Sequence, residues 1–235
     1  EAYEKIDKRI FLRNPDAMPH GFKWPSAEEA AAARRQLRDI VTATIQRASA
    51  TEGATSESIQ LAISDVQIKQ WWTPNPGEPG LPFVHMSAGP GRSTMAVAFA
   101  VYSGGSGIPH VSAHIQFYSK QDGAWRLTSE LGEEFKDRIF AMAALNSPVE
   151  GEAWYLAWGM VIGDTGARLK VHLYAFNGDS VRTVWSREAL RGGGVKVNGD
   201  GSVTLTYFIP PPEGKRIPPA EIHERLRPTV RGLEQ

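Results

Sequence analysis

The chain has 235 residues, no cysteine, and 26 basic side chains against 26 acidic ones. The absence of cysteine excludes a disulfide scaffold, a thiol nucleophile and a cysteine zinc finger. The balanced charge argues against a nucleic-acid binder and a polybasic membrane protein, which usually carry an excess of one sign. The length suits one large domain, or a domain with extensions, that buries a core without disulfides.

Two features of the sequence bear on its compartment. The chain begins at Glu1 rather than at methionine, so we expect that a signal peptide has been removed. The lack of cysteine also fits an exported bacterial protein. The longest apolar run, Tyr155 to Ile162, is far shorter than the roughly 20 residues that cross a bilayer. The sequence therefore predicts a periplasmic or extracellular protein without a membrane span.

An amphipathic helix is predicted over residues 26–50, within an N-terminal extension of residues 1–57. Ser26 and Glu29 form an S-x-x-E capping box, which favours a helix start at this point. We expect the helix to pack on the flank of a sheet, although its basic polar face leaves a partner-protein or membrane-surface role open. Apolar or small residues recur at the helical period: Ala30, Ala33, Leu37, Ile40, Val41, Thr44, Ile45 and Ala48.

Residues 58–209 are predicted to form an antiparallel β domain. Alternation over residues 59–63, which resumes in the other phase at 66–68, predicts a first strand with a bulge between the two halves. Turns that contain glycine, such as Asp122-Gly123, separate the strands that follow. These strands are predicted at residues 83–87, 95–102, 111–119, 125–130, 139–145, 153–162, 169–176, 181–186, 195–198 and 202–209.

A weak internal repeat suggests how these strands are grouped. Residues 115–126 align with residues 171–182, and the turns fall in nearly the same place. Two four-stranded units result, residues 95–145 and 153–208, and each resembles a blade of a β-propeller. Two units do not close a ring, and the same strands are equally compatible with a β-sandwich. The prediction is a mainly β fold of antiparallel meanders, as two blade-like units or as a sandwich.

The last residues, 210–235, are predicted to form an extended, proline-rich arm. Proline at positions 210–212 and 218–219 cannot donate to a sheet ladder, so the sheet is expected to end at Ile209. A short helix is predicted over residues 220–227. We expect the arm to wrap its own domain. The alternative is an arm that completes a neighbouring subunit in a homo-oligomer.

The sequence contains no catalytic motif, so no catalytic residue, metal site or cofactor is predicted. The G-x-S-x-G motif of serine hydrolases is absent. His110 and His114 fall on one predicted strand, where residues four apart stand about 13 Å from each other, too far to share an ion. A glycosidase would need two carboxylates about 5 to 10 Å apart. The clustered acidic residues are interpreted as a solvated loop: Glu130, Glu133, Glu134 and Asp137.

Three residues are candidates for ligand binding. Trp71 and Trp72 adjoin the proline- and glycine-rich residues 74–80, and exposed aromatic rings bind saccharides or peptides. Arg92 follows a glycine-containing loop that could bind an anion through its backbone amides. The alternative for this loop is a plain hairpin, because the lysine and the helix of a phosphate loop are missing. The remaining candidates for aromatic platforms are expected to fill the core: Trp125, Trp154, Trp158 and Trp185.

These observations favour a non-catalytic, exported binding or scaffold protein that recognises saccharide or peptide through exposed aromatic residues, with no nucleic-acid partner. The alternative is a hydrolase that acts on saccharide or peptide with carboxylates and histidines brought together only by the fold. The hydrolase predicts a concave pocket lined by at least two titratable groups with perturbed pKa values. The binding protein predicts that ligand binding depends on Trp71 and Trp72.

Overall fold

A computed structural model of the chain describes residues 26–69, 82–89, 92–103, 110–132, 139–163, 166–212 and 218–235. These residues form two helices, α1 (Ala27–Ser49) and α2 (Ser56–Lys69), and eleven strands. The fold is mainly β, as predicted. The strands are β1 (Phe83–Gly89), β2 (Arg92–Ser103), β3 (His110–Gln121), β4 (Ala124–Gly132), β5 (Ile139–Leu145), β6 (Ala153–Gly163), β7 (Gly166–Phe176), β8 (Val181–Val197), β9 (Val203–Ile209), β10 (Ala220–Thr229) and β11 (Gly232–Glu234).

The strands form two antiparallel sheets in which each strand pairs with the next one along the chain. The first sheet has the order β1-β2-β3-β4, and the second runs from β5 to β11 in sequence order. Tight turns produce this arrangement. Asp122 and Gly123 both adopt positive φ between β3 and β4, as a two-residue hairpin requires.

The predicted grouping of the strands is wrong at β5. This strand was expected to complete the first four-stranded unit, but it pairs with β6 in the second sheet. The first sheet takes β1 as its fourth strand instead. Gly89 pairs with Arg92 across a two-residue connection, and so short a hairpin makes β1 the local partner of β2.

Helix α1 begins at the capping box seen in the sequence. The Ser26 hydroxyl accepts a hydrogen bond from the backbone N–H of Glu29 at 3.2 Å, and the Glu29 carboxylate accepts one from the backbone N–H of Ser26 at 2.8 Å. Leu37, Val41 and Ile45 lie on the buried face of the helix. The spacing of these residues explains why one side of the helix packs on the first sheet.

The strand predicted at residues 59–68 is wrong, because this segment is helix α2. Ile59, Ile63 and Gln67 lie four residues apart and are buried, as one face of a helix requires. Leu61, which an alternating strand would bury with its neighbours two residues away, keeps 60% of its surface exposed. Ile59 and Ile63, four residues apart, share a face in a strand and in a helix alike, so this short window does not separate strand from helix.

The start of α2 carries a signal that the sequence pattern contains. The backbone N–H of Ser58 donates to the Thr55 hydroxyl at 3.1 Å, and the backbone N–H of Thr55 donates to the Ser58 hydroxyl at 2.9 Å. This reciprocal pair acts as a capping box in which serine replaces the usual glutamate. The cap satisfies two backbone N–H groups at the start of the helix and so favours a helix from Ser56 onward.

The short helix predicted over residues 220–227 is also wrong, and the sheet continues past Ile209. β10 pairs with β9 from Ala220 opposite Ile209 to Leu226 opposite Val203. Pro228 lies beyond the last of these pairs, so its missing N–H removes no bond to β9. The proline-rich residues at 210–212 and 218–219 therefore interrupt a hairpin and do not end the sheet.

Three buried clusters show how these elements pack. The first lies between the helices and the first sheet and contains Leu37, Val41, Ile45, Ile59, Ile63, Val84, Met95, Val97, Phe99 and Tyr118. The second draws on both sheets: Ala96, Ala98, Ala113, Ile115 and Phe117 of the first, and Met142, Tyr155, Ala157, Tyr174 and Phe176 of the second. Small alanines on one sheet leave room for aromatic rings of the other, as close packing requires.

The third cluster lies on the other face of the seven-stranded sheet, which curls over itself. Gly232 of β11 lies against Trp185 of β8, so close that a Cβ atom at residue 232 would come within 2.8 Å of the tryptophan Cβ. β8 bends at a register shift between Arg191 and Gly194. The two strands predicted at 181–186 and 195–198 are thus one bent strand. The cluster includes Trp154, Leu156, Leu169, Val171, Leu173, Val203, Leu205, Leu226 and Leu233.

Candidate functional site

The predicted ligand-binding residues Trp71 and Trp72 lie outside the described residues, as does the loop of residues 74–80. The other tryptophans that were expected to fill the core do so. Trp154 is fully buried, and its indole N–H donates to the Glu152 carboxylate at 3.0 Å. The remaining three are partly buried against the first or third cluster: Trp125, Trp158 and Trp185.

Arg92, the third predicted binding residue, links the two sheets. Its guanidinium Nη1 donates to the Asp179 carboxylate at 2.5 Å, and Asp179 lies in the turn between β7 and β8. The Asn177 side chain shapes this turn by accepting hydrogen bonds from the backbone N–H groups of Asp179 and Ser180. An anion at Arg92 would therefore compete with the carboxylate of Asp179 for the same guanidinium.

A polar cluster lies between α1 and the first sheet. Gln116 is fully buried, and its amide nitrogen donates to the Thr42 hydroxyl at 2.8 Å and to the Glu130 carboxylate at 3.1 Å. The Tyr118 hydroxyl donates to the Gln116 amide oxygen at 2.5 Å. Both ends of this buried amide are thus satisfied, and the amide connects the helix to β3 and β4.

The Glu130 carboxylate lies close to two basic side chains of this cluster. His114 Nδ1 lies 3.3 Å from its carboxylate and the Arg38 guanidinium lies 3.7 Å away. The pKa of Glu130 is lowered chiefly by His114. Burial opposes this effect, but Gln116 and Arg38 lower the pKa further, and the net shift is downward. Burial, together with the nearby Glu130 charge, raises the pKa of Tyr118. The carboxyl group is therefore ionised and the phenol protonated at neutral pH.

His114 is oriented by packing as well as by charge. Its ring stacks on Phe99 with the centroids 5.3 Å apart and the planes 18° from parallel. Its contact with Glu130 is an ion-pair contact without the alignment of a hydrogen bond. His114 lies on β3 as predicted, while the side chain of His110 lies outside the described residues. The same is true of three of the four clustered acidic residues: Glu133, Glu134 and Asp137.

A second histidine and carboxylate come together on the seven-stranded sheet. The Tyr174 hydroxyl lies 3.2 Å from His172 Nδ1, and His172 Nε2 lies 3.2 Å from the Glu188 carboxylate. Lys170 lies 3.6 Å from the other oxygen of Glu188. β7 carries the tyrosine, the histidine and the lysine on one face because they are two residues apart. Hydroxyl, imidazole and carboxylate in this order can activate a hydroxyl group or hold a general base.

Of these three side chains, solvent reaches mainly the Glu188 carboxylate. Tyr174 is only 1% exposed and His172 is 8% exposed, whereas half of the Glu188 side chain is exposed. A substrate could reach the carboxylate but not the phenol. The arrangement fixes the orientation of the imidazole and does not present a nucleophile at the surface.

The two histidine groups do not form one site. His114 lies on the helix-facing side of the first sheet, with Tyr118 of the first cluster. Tyr174 belongs to the second cluster, on the opposite side of that sheet. Sequence reasoning did not identify the pairing of His172 with Glu188, since it depends on a register that shifts twice between β7 and β8.

A third titratable pair lies between the sheets. The His85 ring meets Tyr155 edge-on with the centroids 5.9 Å apart. Burial lowers the pKa of His85, and it raises the pKa of Tyr155 to about 12, against a smaller opposing effect of Thr94. Both groups are therefore neutral at neutral pH, as their aromatic surroundings favour.

An exposed apolar surface lies where β9 ends. Phe208 and Ile209 keep 37% and 48% of their surface exposed. Proline residues at 210–212 follow β9 and those at 218–219 precede β10, and most of them are exposed. We call residues 208–212 and 218–220 the proline hairpin. Residues 210–212 and 218–220 are predicted by the sequence to be part of an arm, and the structure places them at one end of a paired hairpin.

The described residues show neither a group of side chains suited to a metal ion nor a helix suited to spanning a membrane. Within them, no three histidine, aspartate or glutamate side chains are grouped so that they could hold a metal ion. Neither α1 nor α2 is long and apolar enough to cross a membrane.

Comparisons of the chain with protein-family models, with curated proteins and with solved structures find no match.

Proposed function

We propose that the chain is a non-catalytic binding or scaffold protein, located in the periplasm or outside the cell, that holds a saccharide or peptide against exposed apolar and aromatic side chains. The observation that carries this proposal is the proline hairpin. Phe208 and Ile209 lie in a strand, yet much of their surface remains in contact with water. Because neighbouring residues of a strand face opposite sides of the sheet, each side presents one of these two apolar side chains close to exposed prolines. Exposed apolar side chains of this kind are candidate contacts for a ligand.

The composition of the proline hairpin supports recognition of a ligand. Proline residues restrict their own backbone, so little conformational entropy is lost when a ligand settles on them. The Phe208 ring lies against Gly192 of β8, where a Cβ atom would come within 3.1 Å of it. The ring is thus supported from below by backbone, and its outer face is available for a sugar ring or a peptide side chain.

The polar clusters support a scaffold more than a catalyst. Gln116 connects α1 to the first sheet, and Arg92 connects the two sheets. Tyr207 of β9 donates to the Glu224 carboxylate of β10 at 2.7 Å. Each of these groups uses its polar atoms to hold two elements together.

We also propose that the two sheets are packed face to face as a sandwich. The second cluster supports this arrangement, because aromatic side chains of the second sheet pack with alanines of the first. The ion pair of Arg92 with Asp179 supports it at one end. A sandwich of this kind would leave the curled half of the larger sheet free to carry the proline hairpin.

The experiment is binding to glycan and peptide arrays. Trp71→Ala with Trp72→Ala tests the predicted aromatic residues, and Phe208→Ser with Ile209→Ser tests the proline hairpin. Leu61→Ser is the control, since Leu61 is also apolar and, at 60%, more exposed, but lies on α2. The proposal expects that the unmodified chain and the control bind to an array and that at least one of the double variants does not. The proposal is contradicted if all variants bind, or if the unmodified chain binds to no array.

A hydrolase acting on saccharide or peptide is the second candidate, favoured by the order of Tyr174, His172 and Glu188. It predicts turnover of chromogenic saccharides or peptides that is lost in His172→Gln and in Glu188→Gln while thermal stability is retained. Glu150→Gln is the control, because this exposed carboxylate lies in the turn between β5 and β6. The binding protein predicts no turnover by the unmodified chain.

A further inference from the structure

β10 has an unpaired outer edge that could bind another protein strand, and this feature does not depend on the proposed ligand binding. β9 pairs with one edge of β10 from Ala220 to Leu226. β11 pairs with the other edge, but only from Arg227 to Thr229. Over residues 220–226, no strand in the described part of the chain pairs with that outer edge. An open edge of this length is a template for another strand.

The turn between β10 and β11 shows which residues face the open edge. Thr229 and Gly232 flank a two-residue turn, so they form a hydrogen-bonded pair and the backbone of Thr229 faces β11. Alternate residues of a strand face the same edge. The backbone N–H and C=O groups of three more residues therefore point outward: Glu221, His223 and Arg225.

The contact between β8 and β9 gives the same result independently. The carbonyl oxygen of Thr206 faces Gly193 of β8, at the position where a Cβ atom of residue 193 would lie. Thr206 therefore does not bond through its backbone to its opposite residue in β10, which is His223. The two residues meet through their side chains instead, with the Thr206 hydroxyl 3.1 Å from His223 Nδ1.

The side chains along this edge are exposed and carry opposite charges at its two ends. Glu221, His223 and Arg225 have more than half of their side-chain surface exposed. Arg225 is held in place by the Asp200 carboxylate at 2.7 Å and by the Ser202 hydroxyl at 3.0 Å. The edge thus has a negative end, a central histidine and a positive end.

We propose that two copies of the chain form a two-fold symmetric dimer in which their β10 strands pair antiparallel, centred on His223. Glu221 then lies opposite the partner subunit's Arg225, and this ion pair occurs twice. Three hydrogen-bonded residue pairs supply about six backbone hydrogen bonds between the subunits. The edge is complementary to itself in both charge and hydrogen bonding.

The charges select this register among those whose two-fold axis passes between hydrogen-bonded residues. In such registers the axis falls at Glu221, His223 or Arg225, whose backbones face outward. An axis at Glu221 would place two carboxylates opposite each other, and an axis at Arg225 would place two guanidinium groups opposite each other. Like charges in directly opposite positions destabilise a sheet. The register centred on His223 avoids both.

The length of strand that can pair with the open edge is limited at both ends. Pro218 and Pro219 precede it and have no N–H to donate. β11 covers the residues that follow it, from Arg227 onward. The seven residues 220–226 therefore pair with the same seven residues of the partner and with no additional residue on either side. A partner strand of this length fits the edge.

Sedimentation equilibrium of the full chain tests the dimer. Glu221→Arg and Arg225→Glu each place like charges opposite each other twice, so each should raise the dimer dissociation constant at least about tenfold. Mixed in equal amounts, the two variants should form a heterodimer, because both pairs of residue 221 with residue 225 then join opposite charges. Arg231→Glu is the control, since Arg231 is exposed in the turn outside the edge.

A second variant separates loss of pairing from loss of folding. His223→Pro removes an N–H that faces outward, so it should give a monomer whose circular dichroism and melting temperature stay close to those of the unmodified chain. An unmodified chain that is monomeric at about 100 µM overturns the proposal. So does a dimer that persists in Glu221→Arg and in His223→Pro, or a mixture of the two charge variants that stays monomeric.

Discussion

Arg92 of the first sheet lies directly over Gly178 of the second, so that a Cβ atom at residue 178 would overlap the Arg92 Cδ atom and come within 2.9 Å of Nη1. Gly178 has φ +92°, which L side chains rarely adopt. Its missing side chain lets the arginine reach Asp179. One glycine thus allows a direct connection between the two sheets.

Gly178→Ala should lower the free energy of unfolding by about 1 to 3 kcal/mol, because the new methyl group meets Arg92 in a strained backbone conformation. Urea unfolding measures this loss. Gly201→Ala is the matched control, since Gly201 also lies in a turn with positive φ, +78°, but has no neighbouring atom within 4 Å of its Cβ position. Equal stability of the two variants would show that Arg92 does not occupy this position.

Gly193 provides a second comparison between adjacent glycines. A Cβ atom at this position would overlap the Thr206 carbonyl, and its φ is +91°, whereas Gly194 has nothing within 4 Å. Gly193→Ala should therefore lower the free energy of unfolding by about 2 kcal/mol or more, since backbone must move, and Gly194→Ala by less than about 1 kcal/mol. Chemical denaturation of both variants checks the bend in β8, and a reversed order would contradict it.

Gln116→Ala should lower the free energy of unfolding by about 2 to 4 kcal/mol. The substitution leaves the Tyr118 and Thr42 hydroxyl groups without their buried partner and opens a cavity. Gln121→Ala is the control, because Gln121 lies on the same strand, is partly exposed and bonds only to Ser119 among the described residues. If both variants unfold at the same urea concentration, the amide does not connect α1 to the sheet.

The ionisation of Glu130 predicts a loss of stability in acid. Its pKa is lower in the folded chain than its ordinary value of 4.5, chiefly because of His114. The unfolded chain therefore binds more protons in this range, and the stabilisation is complete above about pH 4.5 and lost as the pH falls through the folded pKa. Glu130→Gln should make the unfolding midpoint depend less on pH below about pH 4.5. An unchanged slope would contradict this.

The parts of the fold that the sequence predicts well carry local signals. Ser26 and Glu29 mark the start of α1, and Asp122-Gly123 marks a hairpin. α2 and β10 are harder to predict for physical reasons. The branched residues Ile59 and Ile63 suit both a strand and a helix.

In β10 the inward positions include Glu224, which interrupts the apolar alternation of Ile222 and Leu226. Its carboxylate is accommodated because Tyr207 donates to it and Arg187 lies 3.6 Å away. Such partners come from other strands, so the pattern of β10 alone does not predict them. The pairing of His172 with Glu188 is inaccessible to sequence reasoning for the same reason.

The measurement that tests the central proposal most directly is the dissociation constant of the strongest array ligand, obtained by calorimetric titration of the unmodified chain and of Phe208→Ser with Ile209→Ser. Loss of two apolar contacts predicts binding that is at least about tenfold weaker in the double variant, with the melting temperature retained. Leu61→Ser should bind as the unmodified chain does. Equal affinity of all three proteins would contradict a ligand held on the proline hairpin.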